Sequence, residues 1–431
     1  MQKIRKMMDR KITIEVPDYV KTVIDRLEKS GYEAYLVGGC VRDTLLHREL
    51  HDYDLATDAT CVQMEQAFEG MKTVMTGVRH GTLTVLSSGH PIEVTTYRAP
   101  GVDGHVTLED DLSHRDFTIN AMAYHPVKGL IDLNGGVEDL EKRTVRFTGS
   151  ARDRVEEDPL RLLRALRFMS SLDFSMDSDA DAIVRSKAGY LSVVAAERIY
   201  AEFKKLLLGP DARGAISAYP EVWKVLFPQS SIALESEKVG LAVSYSDPDV
   251  YVRLALCFME SDKALPYTEH SSSHFMHGLK ADNLAQNTVR KILSFPRERL
   301  SGEQKTMHRL IAEHALDVTR ESVRFDYALT CALSGQDDEA QAKIRARRRE
   351  IEETIQRILD EGLCISQKDL SVSGSDLIRE KVVPNGPMVG ETMRRLFFDV
   401  VDGAVPNEKE ALLDYARHLN QQTIRTKVIV R

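Results

Sequence analysis

Short apolar runs alternate with amphipathic stretches over the first 150 residues. The segments YEAYLVGG (32–39), LTVLSS (83–88) and IEVTTYR (92–98) are rich in β-branched and aromatic residues and bounded by Gly, Pro or Ser, which predicts strands. VRDTLLHREL (41–50) and CVQMEQAFEG (61–70) carry apolar residues at helical spacing and predict helices. After about residue 150 the texture changes. DPLRLLRALRFMSSL, DADAIVRSKAGYLSVV, AERIYAEFKKLLLGP, DPDVYVRLALCFME and NTVRKILSF read as helices, and strand signals nearly vanish. The expected fold class is α+β: a mixed-sheet head followed by an all-α remainder. Breaks fall near LGPDARG (208–214), SEKVG (236–240) and the polar stretch EHSSSHFMHGLKADN (269–283).

Composition narrows the class. The chain has 431 residues, 42% of them hydrophobic, enough for about two to four domains. With 29% charged residues and only 25 Gly and 14 Pro, it is neither disordered nor fibrous. A net charge of −8 argues against a protein that simply coats nucleic acid, but leaves room for a basic strip on one surface. The 5 cysteines are scattered and form no CxxC pair. That predicts reduced thiols in the cytoplasm, without zinc site or disulfide scaffold. The start, MQKIRKMMDRKITIEV, is basic but has no apolar signal-peptide core, and no run of 18 apolar residues predicts a membrane span.

Candidate chemistry clusters in the head. In HDYDLAT (51–57), Asp52 and Asp54 bracket a tyrosine, and on a strand they would share one face. Their repulsion is relieved by a bound cation, or by water on an exposed strand. In YLVGGCVRD (35–43), Gly38 and Gly39 sit at a strand–helix junction, where backbone N–H groups can approach a phosphate, and Arg42 follows in the first helical turn. Neither a GxGxxG nor a Walker fingerprint is present. Glu93 supplies a third carboxylate. If its strand neighbours Asp54, the three can ring one or two Mg²⁺ ions; otherwise Glu93 is an ordinary exposed strand residue.

Beyond the head, EEDPLRLLRALRF (156–168) places Pro159 at a first helical position, which makes Asp158 an N-cap candidate. Arg161, Arg164 and Arg167 then recur every three residues, a stripe suited equally to solvent or to a ligand. QAKIRARRREIEETIQRIL (341–359) carries Arg345, Arg347, Arg348 and Arg349, either a solvated helix face or a phosphate-contacting strip. HSSSHFMH (270–277) holds three histidines but no adjacent His–Asp pair, so a polar loop is expected there.

The order strand, Gly-Gly, helix with Arg, DxD and a carboxylate strand resembles the polymerase-β-like nucleotidyltransferase superfamily. HRDFTINAMAY (114–124), LIDLNGGVEDLEKRTVRFTG (130–149) and EEDPLRLLRALRF are similar to the class II tRNA nucleotidyltransferases, which include the CCA-adding enzymes and bacterial poly(A) polymerases. The resemblance runs over about residues 30–210. A weaker one returns in LSVSGSDLI (370–378) and PNGPMVGETMRRLF (384–397), and the middle, roughly 215–340, matches no motif. The resemblance implies a catalytic head (1–149), a base-reading neck (150–215), a helical body (216–340) and a tRNA-binding tail (341–431).

It also implies roles. Asp52 and Asp54 would ligate Mg²⁺ and, with Glu93, form the catalytic set. Gly38, Gly39, Arg42, Arg115, Arg164 and Arg167 would contact the nucleotide, and Asp158 with Arg161 would read its base. Asp116 and Asn120 match family positions or simply tie their loop together. The residue before RDF is often Arg in the family and is His114 here, which leaves its role open. The hydrogen-bond logic of the base readers is elementary. Aspartate only accepts and arginine only donates, so Asp158 takes the cytosine N4–H and Arg161 gives to N3. Adenine offers the same order, whereas uracil and guanine reverse it. A mismatch strands buried polar groups at about 1–3 kcal/mol each. The implied reaction is attack of a tRNA 3′-hydroxyl on the α-phosphate of CTP, with pyrophosphate leaving. The implied partner is tRNA, gripped at acceptor stem and elbow through phosphates, with neither DNA nor membrane.

Between EVTTYR and HRDF lie only 15 residues, APGVDGHVTLEDDLS, with no Arg-Pro pair. Full CCA-adding relatives carry a longer basic-proline lever there, and its loss is associated with enzymes that add only two cytidines. CC addition is therefore the expectation, with full CCA addition from CTP and ATP as the alternative. An A-adding enzyme, a poly(A) polymerase or a non-catalytic RNA-binding protein stand behind them, the last disfavoured by the intact motif set.

Overall fold

The computed structural model describes residues 13–50, 52–77, 81–98, 106–228, 230–258, 275–335 and 337–429. The basic start, His51, residues 99–105 of the short segment before His114, and His270 and His274 of the histidine stretch lie outside them. The chain divides into two compact units, one ending at Asp211 and one beginning at Ala212.

The first unit runs α1 (Asp18–Lys29), β1 (Ala34–Val37), α2 (Gly39–Leu45), β2 (Asp54–Thr57), α3 (Cys61–Ala67), β3 (Lys72–Gly77), β4 (Thr82–Ser87), β5 (His90–Thr96), α4 (Leu108–Ser113), β6 (Met122–His125), β7 (Gly129–Asp132), α5 (Gly136–Lys142), α6 (Ala151–Glu157), α7 (Leu160–Leu172), α8 (Ser178–Lys187) and α9 (Ala196–Leu207). The seven strands form one sheet in the order β3-β4-β5-β2-β1-β6-β7. Its pairings are antiparallel except β2 with β5, which run parallel. β1 reads AYLV and buries all four residues, as a central strand covered on both faces must. α1 buries Val20, Val23, Ile24 and Leu27, an i, i+3, i+4, i+7 stripe laid on the sheet. Each such side chain contributes about 1.5–3 kcal/mol on burial.

Two expectations shift. β2 begins at Asp54, so Asp52 lies ahead of the strand rather than beside Asp54 on one strand face. The pairing partners decide this: the β5 register opens at Asp54 opposite Glu93, and β1 engages only from Leu55. Strands β6 and β7 were not legible, because four residues are too few for a period of two to register. Past residue 150 the described chain is helical apart from Ser175–Met176, which pairs with Thr144–Val145.

α7 packs against α9. Ser170 donates its hydroxyl to the Leu206 carbonyl at 2.7 Å. Gly209 follows, where a Cβ would meet the Ser170 hydroxyl oxygen at 2.2 Å, so only glycine lets the chain pass that close. Between α6 and α7, Asp158 is extended (φ −148°, ψ 100°), which breaks one long helical run into two.

The second unit is helical throughout its described residues. One core gathers Met307, Leu310, Ile311, Ile351, Ile355 and Ile358, and another Leu377, Leu396, Phe397, Leu412 and Ala416. Among the described residues, no helix is long and apolar enough to cross a membrane. All five cysteines are unpaired. On the helix Asp338–Asp360, Arg347 pairs with Asp326 and Arg348 with Asp247 and Glu352. Arg345 and Arg349 are exposed.

Candidate active site

A cleft of about 990 Å³ opens in the first unit between the β1–α2 turn, the facing ends of β2 and β5, the loop at 114–120, α7 and α9. Every residue of the expected catalytic and nucleotide-binding set lines it except Asp52. The sheet register sets Asp54 beside Glu93. Desolvation by surrounding protein pushes the Asp54 carboxyl above its usual range, although the side chain opens onto the cleft. The Glu93 charge adds to that shift, Arg115 opposes it, and Asp52 adds again, so all three carboxylates lie within electrostatic reach. Among the described residues, no three His, Cys, Asp or Glu side chains stand close enough to hold one metal ion. The reason is again the strand start, which leaves Asp52 exposed outside the ladder.

Gly38 closes β1 with φ 72° and ψ −130°, a backbone only glycine adopts without strain. A Cβ there would also meet an Arg115 guanidinium nitrogen at 3.2 Å. Arg115 is aimed by Asp111, which it grips through Nε at 3.0 Å and Nη2 at 2.8 Å. The other Asp111 oxygen accepts the Arg98 backbone N–H at 2.9 Å. Arg42 is held on its neighbour Asp43 by two bonds and donates to the Asn120 carbonyl oxygen at 2.6 Å.

The arginine stripe faces the cleft. Arg164 binds Asp116 through two nitrogens and Glu202 at 3.2 Å. Burial alone would push Asp116 up. The Arg164 charge and the hydrogen bonds from Asn120, Arg164 and the Phe117 N–H outweigh it and hold the carboxyl low. Asp116 and Asn120 therefore do tie their loop together. Arg167 sits 2.7 Å from Glu202 and 3.8 Å above the Phe168 ring. Burial pushes its guanidinium down to about 10; Glu202 opposes that, and the neighbouring Arg164 and Arg42 reinforce it.

Asp158 and Arg161 line the same cleft, and the Arg161 backbone N–H donates to the Asp158 carbonyl at 3.0 Å. Asp158 accepts the Leu160 N–H at 3.2 Å, as a cap would, and forms an ion pair with Arg198 at 2.7 Å. Arg161 donates to Glu157 at 2.6 Å, to the Arg154 carbonyl at 3.0 Å and to the His114 carbonyl at 3.4 Å. His114 thus contributes its backbone, while its ring nitrogen lies 2.8 Å from the Asp110 carbonyl.

Four supporting residues escaped the sequence reading: Asp43, Asp111, Arg198 and Glu202. Glu202 carried a signal, since it stands in the buried stripe Ile199, Tyr200, Phe203, Leu206 and Leu207 of α9. A carboxylate on an apolar face is rarely left there without cationic partners.

A family model described as the poly A polymerase head domain matches residues 34–146. Another, tRNA nucleotidyltransferase domain 2, matches residues 263–416 and so reaches into the middle stretch that bore no legible motif. The chain is 31% identical to the CCA-adding enzyme of Leuconostoc mesenteroides, an alignment covering 93% of this chain and 96% of that protein. It is 32% identical to that of Lactobacillus delbrueckii subsp. bulgaricus, covering 93% and 98% respectively. Among solved structures, the Bacillus stearothermophilus CCA-adding enzyme in complex with CTP superposes with a TM-score of 0.69 at 28% identity, over 95% of this chain and 100% of that one. The Thermotoga maritima CCA-adding enzyme complexed with tRNA shares the fold, with a TM-score of 0.60 at 21% identity over 96% and 97%.

Proposed function

The chain belongs to the class II tRNA nucleotidyltransferases, the family of the CCA-adding enzymes, and from that premise we propose that it adds two cytidines from CTP to the tRNA 3′ end. The observation that carries this reading is the single cleft holding Asp54, Glu93, Gly38, Gly39, four arginines of the predicted set and the Asp158–Arg161 pair. Enzymes of this family use divalent metal ions. The donor set here suits one: Asp54 is a hard oxygen ligand, and a cation beside it would relieve the repulsion from the Glu93 and Asp52 charges. Asp52 and Asp54 would hold Mg²⁺. A divalent ion held there would supply charge to activate the attacking hydroxyl and to offset the departing pyrophosphate. The chain supplies the rest by positioning. Arg115, Arg42, Arg164 and Arg167 crowd positive charge where a triphosphate lies beside Gly38 and Gly39.

Asp158 and Arg161 select the base. Their existing bonds are compatible with that task, because a carboxylate oxygen accepts more than one hydrogen bond and a guanidinium has five N–H donors. The 341–431 tail would hold the tRNA through phosphates, with the exposed Arg345 and Arg349 of its arginine cluster as contacts. The scattered, unpaired cysteines suit a cytoplasmic enzyme.

The stop after two cytidines rests on the short segment before His114. Asp111 bonds both Arg98, before the segment, and Arg115, after it. The 15 residues of that segment hold no Arg-Pro pair and leave no room for the longer basic-proline stretch of full CCA-adding relatives. The second reading is full CCA addition, favoured by the name the relatives share. Three tRNAs, ending before the tail, after C and after CC, incubated with Mg²⁺ and labelled CTP and ATP, separate the two. Adenylation of the CC-ending tRNA overturns the CC-only reading. Absence of cytidine addition to any of them overturns both.

A further inference from the structure

Discrimination by hydrogen bonding has a requirement that Asp158 alone does not meet. The penalty for a wrong base falls due only if the carboxylate cannot turn away from it. A lone aspartate facing the uracil carbonyl would swing toward solvent and evade the mismatch. In this chain it is pinned. Arg198 on α9 reaches Asp158 with both terminal nitrogens, at 2.7 Å to Oδ2 and 3.3 Å to Oδ1. The Leu160 N–H fixes Oδ1 from the other side at 3.2 Å. Both oxygens are thus held in one plane, with spare acceptor capacity toward the cleft that Arg198 also lines.

We infer that Arg198 is a specificity-determining residue that positions the Asp158 carboxylate, so that bases presenting an acceptor to it are rejected. The inference rests on the proposed base-reading role of Asp158. Arg198 acts through that residue and need not touch the nucleotide. Because it also only donates, it keeps Asp158 from offering anything but an acceptor to the base. Rejection of uracil then follows from immobility as much as from charge, which is discrimination against the wrong ligand rather than tighter binding of the right one.

The pair is partly exposed, with Arg198 53% and Asp158 30% accessible, so breaking it takes little stability from the fold. The experiment compares kcat/KM for CTP and UTP on a tRNA lacking its tail, in the parent protein, R198A, R198K and D158N, with thermal melting of each. The expected result is a CTP-over-UTP ratio that falls about tenfold in R198A, the loss of one unpaired-group penalty, and is largely restored in R198K. D158N collapses the ratio whatever stands at 198, because its carboxamide can present a donor. Equal losses for CTP and UTP in R198A, or an unchanged ratio beside a collapsed one in D158N, overturn the inference and leave the base-reading assignment standing. An unchanged ratio in D158N overturns that assignment and this inference with it. If R198A does not fold, R198M, which keeps the aliphatic stem and loses the donors, takes its place: a fallen CTP-over-UTP ratio supports the positioning role, and an unchanged ratio or equal losses for both nucleotides overturn it.

Discussion

At the residue scale, charge is resolved in two opposite ways within one cleft. Desolvation and the Glu93 and Asp52 charges push the Asp54 carboxyl up against the opposing Arg115 and Arg98; Asp116 is enclosed by donors and held down. The first arrangement awaits a cation and the second is already neutralised. Asp54→Asn should therefore abolish nucleotide incorporation while leaving tRNA affinity intact, measured by gel shift beside the transfer assay; retained transfer would contradict the metal assignment. For Asp116 the folded carboxyl lies below its ordinary value of 3.8. Its stabilisation is complete above that value and is lost only as pH falls through the depressed folded value. Asp116→Asn should melt below the parent at pH 7, and the gap in melting temperature should close progressively below about pH 4. A gap that does not depend on pH would contradict the assigned ion pair. What was legible at this scale was the local motif. Asp54, Gly38 and the Asp158–Arg161 spacing can be read within a few residues of chain. Their partners cannot: Asp116 lies 48 positions from Arg164, and Asp158 lies 40 from Arg198.

At the scale of elements, the cleft depends on α9 standing firmly against α7. Glu202 is the buried bolt, 7% exposed and bound to both Arg164 and Arg167. Glu202→Ala leaves Arg167 without its carboxylate in a protein-lined site, and should cost about 3 kcal/mol or more in chemical denaturation. Glu202→Gln should cost less, since it keeps an acceptor. Gly209→Ala tests the same joint sterically. Its methyl would strike the Ser170 hydroxyl and backbone, and overpacking of this kind costs about 1–3 kcal/mol. A Gly209→Ala protein as stable as the parent would show that the close approach carries no weight. Elements with a clear period, such as β4 and β5, were legible from the sequence; the four-residue β6 and β7 were not, and neither was the start of β2 at Asp54, which pairing with β5 decides.

At the scale of the whole molecule, the recognised motifs crowd the first unit, and the second offers helices and arginines for the proposed grip on tRNA. Half of the 345–349 arginine cluster is consumed by Asp247, Asp326 and Glu352. The strip available to phosphate is thus Arg345 and Arg349. The double variant R345A/R349A should weaken tRNA binding and lower the slope of log affinity against log salt by about one to two units, whereas an unchanged slope would remove this helix from the interface. The most direct measurement takes a tRNA lacking its tail, offers all four ribonucleotides at equal concentration with Mg²⁺, and sequences the 3′ ends. Two cytidines and a stop are the predicted product. A tail containing uridine or guanosine, or no addition at all, would contradict the account of a cleft in which Asp158 and Arg161 choose the base.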